Sequence, residues 1–207
     1  MPAPLTTIGE IGISTAERDV ILRPSLAAMA SLGSPKEIVQ LFGLLHSAPP
    51  VNPYFPVESI KRYRQAVFWA AYDVISACAS EDISDVIGTT GERLNSYRPG
   101  AMPMDDFLPI ARSLLKHGIV GAVKIESSGK GDYSDEFNAR DHVATAVAHL
   151  GVSEAEAWNM TMTSFVGAMR AKYPPTKSGP PTEAEYDKTM SWFAEVQARR
   201  EALKRGN

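Results

Sequence analysis

The chain has 207 residues, enough for one sizeable domain with an appendage but not for two large independent cores. Hydrophobic residues make up 44% and charged residues 22%, a composition that excludes wholesale disorder. Its 21 Lys and Arg against 24 Asp and Glu leave a net charge of −3, so no overall basic field exists to hold nucleic acid or an anionic membrane, and neither is expected as a partner.

Residues 6–22 place Ile8, Ile11, Ile13, Val20, Ile21 and Leu22 around Gly9 and Gly12, a pattern that predicts a short β-hairpin. Helix is expected from there on. Pro24 is placed in the first turn of a helix running through Leu26, Met29 and Ala30 to a stop at Gly33. Ser34, Pro35 and Glu37 then form a capping box at N-cap, N1 and N3, ahead of Ile38, Leu41, Phe42 and Leu45 at helical spacing. Four prolines in residues 47–56 make that stretch an extended connector. From 57 to 79, Ile60, Tyr63, Val67, Ala71, Val74 and Cys78 recur every three or four residues, with Phe68, Trp69, Tyr72 and Ile75 widening the stripe. So broad a stripe predicts a central, mostly buried helix.

Asp105 and Asp106 suit the first turn of the next helix, where carboxylates complement the macrodipole, and Gly118 is expected to end it. A strand is expected over 120–126 and a surface loop over 127–132. Three helices follow: one ending at Gly151, one capped by Ser153 with Glu156 and holding Trp158, and one over 161–171. Four prolines and a glycine in residues 173–181 make a semi-rigid linker. Thr182 and Glu185 form a capping box for a last amphipathic helix carrying Tyr186, Met190, Phe193, Val196 and Leu203. The expected fold class is mainly α: a helical domain (1–173) with a small N-terminal β-hairpin, a Pro-rich linker (174–181) and a Pro-linked C-terminal helix (182–207).

Little in the sequence speaks for bond-making chemistry. His142 and His149 lie two helical turns apart, roughly 10 Å at 1.5 Å per residue, too far to share a metal from one helix. Asp141 and His142 have no Ser or Cys in a nucleophile-elbow context to complete a hydrolase site. The turns at 88–93 and 128–132 lack phosphate-loop spacing, and the carboxylates match no calcium-loop register. Cys78, the one cysteine, cannot form an internal disulfide or a cysteine-based zinc site, which suits a reducing cytoplasm. Residues 1–5 lack the charged and apolar regions of a secretory signal, and the longest apolar stretch, 66–72, falls far short of the roughly 20 residues that span a bilayer. No catalytic residue, metal ligand or cofactor site is expected.

A surface reading is stronger. Residues 158–169 hold Trp158, Met160, Met162, Phe165 and Met169, a density of flexible, polarizable side chains that either fills core gaps or forms an adaptable protein-binding surface. The final helix adds Met190, Trp192 and Phe193, which must fold back or find a partner. Trp158, Met160, Phe165, Met169, Met190, Trp192 and Phe193 are therefore the candidate partner-binding residues.

Residues 150–165 (LGVSEAEAWNMTMTSF) resemble the "LG-s-eea-W-mT-eF" pattern of tail assembly chaperones and small tail assembly proteins of long-tailed bacteriophages. Residues 21–29 (ILRPSLAAM) resemble the "LRPS-f" segment that begins many such proteins. The two matches cover 25 residues, about an eighth of the chain. The resemblance implies a non-enzymatic chaperone in the cytoplasm of the infected bacterial host, absent from the mature virion. It would bind the tape measure protein, the tail tube protein or both, and is compatible with a homo-oligomer. It also places Trp158, Met160, Thr161 and Phe165 on the motif, with Thr161 as the N-cap of the following helix. The alternative is a structural virion component, such as a tail-completion or connector protein.

Overall fold

A computed structural model describes residues 3–48, 56–91, 97–122, 135–174, 186–188, 190–193 and 196. The chain divides into two units, Met1–Tyr173 and Pro174–Asn207. The fold is mainly α, with an N-terminal antiparallel hairpin of β1 (Ile11–Ser14) and β2 (Asp19–Leu22) as its longer strand pair among the described residues. Thr15 shapes its turn: the hydroxyl oxygen accepts from the Arg18 N–H at 3.1 Å, and the Thr15 N–H donates to the Arg18 carbonyl at 2.9 Å. Alternation then sends Val20 and Leu22 into the core and leaves Asp19 in solvent. Arg18 clamps the hairpin tip onto the chain that follows the long helix, with Nε and Nη2 on the two Asp85 carboxylate oxygens at 3.0 and 2.6 Å.

The first helix, α1 (Leu26–Ala30), begins after Pro24, contrary to the sequence reading. Ser25 is its N-cap, accepting from the Ala28 N–H at 3.1 Å, so Pro24 lies outside the helix. It also stops short of Gly33, with Ser31 as C-cap. The capping box of α2 (Pro35–His46) forms as expected, the Glu37 carboxylate accepting from both the N–H (2.8 Å) and the hydroxyl (2.7 Å) of Ser34. The long α3 (Val57–Cys78) is less buried than its stripe predicts: only Ala70, Ala71, Val74, Ile75 and Cys78 are buried, all in its C-terminal part. That part packs chiefly on α5 (Phe107–Leu115), whereas Val57 is exposed. Between them lie a short α4 (Ser84–Ile87) and the two-residue strands β3 (Thr89–Thr90) and β4 (Tyr97–Arg98).

Gly118 does not end α5. The helix widens into a π-helical turn, Lys116–Val120, and stops at Gly121, where φ is +78°. A Cβ on Gly118 would sit 2.6 Å from Met29 Sδ, so this glycine exists to let α1 approach. A local stop signal and a tertiary close contact look identical in sequence. The strand expected over 120–126 is likewise overturned at its start, since Val120 lies in the π turn; residues 123–126 and the loop at 127–132 lie outside the described residues.

α6 (Ala139–Leu150) ends at Gly151 with φ +72°, α7 (Glu154–Asn159) carries the Ser153–Glu156 capping box, and α8 (Met162–Lys172) has Thr161 as N-cap. The Thr161 hydroxyl accepts from the Ser164 N–H at 3.1 Å on a residue that is wholly buried. Thr161→Val keeps the branched shape and removes the cap, and should destabilise the protein by ~1–2 kcal/mol, read as a lower denaturant midpoint. In the second unit, residues 186–188, 190–193 and 196 are helical, while residues 175–181 of the linker and the box residues Thr182 and Glu185 lie outside the described residues. Among the described residues no helix is long and apolar enough to cross a membrane.

Candidate protein-binding surface

The N-terminal segment and the α7–α8 corner meet. Ser25 and Thr161 form an isolated antiparallel bridge, and the Leu26 N–H donates to the Met160 carbonyl at 2.8 Å. On the other side, the Arg23 N–H donates to the Cys78 carbonyl at 2.8 Å. Each residue of Leu22-Arg23-Pro24-Ser25 thus has structural work. Leu22 is fully buried, Pro24 is buried, Ser25 caps α1, and Arg23 holds the carboxylate of Glu10, with Nη2 at 2.5 Å and Nε at 2.6 Å from Oε1. Glu10 is only 5% exposed, and its Oε2 accepts from the Leu5 N–H at 2.7 Å.

The seven candidate contact residues fall into three environments. Phe165 is 7% exposed and belongs to the core, with its ring 5.5 Å from that of His142. Trp158, Met160 and Met169 are half-buried, each packed on the core along one side and open along another, and Met162 shares that condition. The Trp158 indole N–H donates to Glu154 Oε1 at 3.2 Å, which holds the ring along α7. On α8, Met162, Val166 and Met169 recur at four- and seven-residue spacing and so share a helix face. Met190, Trp192 and Phe193 lie in the second unit, each with more than half of its surface exposed (51%, 61% and 53%).

The titratable groups near this corner are packed rather than poised. His142 sits against Phe137 (5.3 Å) and Phe165, and burial lowers its pKa below the ordinary 6.5, the adjacent Asp141 carboxylate opposing in part. His117 Nδ1 lies 2.9 Å from Thr163 Oγ1, which also accepts from the Ala122 N–H at 3.0 Å, tying the π turn to α8. Burial, with help from Lys116, lowers His117 as well. Unfolding frees both imidazoles to take up protons at a higher pH than the fold allows. Their contribution is therefore complete above about 6.5 and is lost as pH falls through the lowered folded values. His142→Phe should flatten the decline of stability on that acid limb, checked by denaturant melts across pH. Cys78 is 3% exposed and burial pushes its thiol up to about 12, so at neutral pH it is a packed thiol without thiolate character. Among the described residues no three His, Cys, Asp or Glu side chains gather as a metal site would require.

Two features were outside the sequence reading. Phe68, Trp69, Tyr72, Tyr97 and Phe107 form one aromatic cluster, with Phe68 5.0 Å from Tyr97 and 5.2 Å from Phe107. Helical spacing signals the α3 members, but nothing local announces Tyr97, whose hydroxyl donates to the Ile87 carbonyl at 2.7 Å. The second is a cleft of about 520 Å³ between β1 and the segment 101–110.

A family model described as a family of unknown function (DUF6246) matches residues 22–188. No curated protein and no solved structure matches the chain.

Proposed function

The chain belongs to the DUF6246 family, whose description carries no activity, and we propose that it is a non-enzymatic tail assembly chaperone of long-tailed bacteriophages. In that role it binds the tape measure protein, the tail tube protein or both in the cytoplasm of the infected host and is absent from the finished particle. The observation that carries this reading is the meeting of the two resembling segments. Residues 21–29 and 150–165 lie far apart in the chain, yet they join through Ser25, Leu26, Met160 and Thr161. The motif residues that cap and pack thereby hold Trp158, Met160 and Met162 half-buried about the α7–α8 corner, with Met169 farther along the same face of α8 as Met162.

A tape measure protein must keep apolar helical stripes covered until tube subunits polymerise around it. Methionine and tryptophan side chains on a packed backing suit that task, because they adapt to irregular apolar surfaces and release them when a better-fitting partner competes. Co-expression with the tape measure protein of the same phage should raise that protein's soluble fraction, and an unchanged fraction would count against the proposal. Mass spectrometry of purified particles should lack the chain; its presence at defined copy number would favour a structural tail component instead.

A further inference from the structure

Strand β1 has only one partner. Thr15 and Arg18 pair through hydrogen bonds, so alternation along the antiparallel ladder turns Ile13 and Ile11 toward β2 and turns the N–H and C=O groups of Gly12 and Ser14 outward. Those outward groups have no backbone or side-chain partner among the described residues. The cleft of about 520 Å³ runs along this side, walled by Ile11 and Ile13 and by Met102, Pro103 and Ile110, with Asp106 as its single ionisable lining residue. The Asp106 carboxylate has no ion-pair partner among the described residues.

From this edge we infer that the chain has a second binding site, independent of the α7–α8 corner, that takes an extended protein segment as an added strand on β1. Gly12 and Ser14 supply the main-chain pairing, the apolar walls receive alternate side chains, and Asp106 selects a Lys or Arg on the incoming segment. Charge decides against a second copy as the occupant: Ile11–Ser14, the strand a mate would offer, carries no Lys or Arg to meet Asp106.

The test uses the full chain, labelled with ¹⁵N, and the peptide acetyl-Lys-Val-Thr-Val-Thr-Lys-amide. The Gly12 and Ser14 amide resonances should shift saturably and their hydrogen exchange should slow, while the amides of Ile11 and Ile13, already paired to β2, change little. Replacing both peptide lysines by glutamate, or Asp106→Asn in the protein, should weaken binding about fivefold. Asp105→Asn, a neighbouring exposed carboxylate outside the cleft lining, should leave it unchanged and reports on folding. No shift at Gly12 and Ser14 up to millimolar peptide overturns the inference, as does equal binding of the glutamate peptide. The same amides moving with protein concentration alone would make the occupant a second copy and overturn it too.

Discussion

Phe107→Ala is expected to destabilise the first unit by ~3–5 kcal/mol, the range for truncating a fully buried aromatic ring. Phe107 is 1% exposed at the start of α5 and stands between Phe68 at 5.2 Å and Tyr72 at 6.4 Å, the rings through which α3 and α5 meet. Truncation loses the buried area of the ring and leaves a cavity walled by other rings, which cannot collapse without moving α3. Against a typical total of ~5–15 kcal/mol this is a large share, and in a unit of this size it should lower Tm by roughly 6–20 °C. Phe107→Leu, which keeps most of the volume, should lose less than half as much. Calorimetry on the two variants checks the ordering; equal Tm values for Phe107→Ala and the parent would show that the aromatic cluster does not bear on stability.

Arg23→Ala should cost ~2–4 kcal/mol, somewhat less than a wholly buried pair because the Arg23 side chain is 45% exposed. The loss comes mainly from what stays behind. Glu10, 5% exposed with Arg23 in place, keeps the Leu5 N–H on one oxygen and loses both guanidinium bonds on the other. Adding Glu10→Gln to Arg23→Ala removes the stranded charge and should recover part of the loss, so that the double variant is more stable than Arg23→Ala alone. Denaturant melts of the single and double variants decide this, and additive losses would contradict the account of the pair.

The sequence made the fold class legible because its strongest signals are local. Ser34 with Glu37, Ser153 with Glu156, and Gly151 fix helix ends through partners three or four residues away, and each stands in the structure as read. Signals whose cause is tertiary were misread. Gly118 is small for the sake of Met29, Pro24 yields the helix start to Ser25, and the apolar stripe of α3 outruns the surface available to bury it. Composition marked residues 158–169 as unusual but could not separate Phe165, which packs inside, from Trp158 and Met169, which stay half-open. That separation depends on which face of α8 meets α6. The cleft beside β1 had no sequence signal at all, because its two walls come from segments about ninety residues apart.

The most direct test of the protein-binding account is copurification of the tagged chain with its phage's tape measure protein, comparing the parent with Trp158→Ala. Trp158 is half-buried with one side packed on the core, so its loss should lower Tm by only a few degrees and leave the chain folded at the assay temperature. As a central contact it should nonetheless reduce the bound partner by at least about tenfold. Capture of the tape measure protein by the parent, lost in Trp158→Ala while that variant is still folded at the assay temperature, is the result predicted; absence of capture by the parent, or capture indifferent to Trp158, would contradict it.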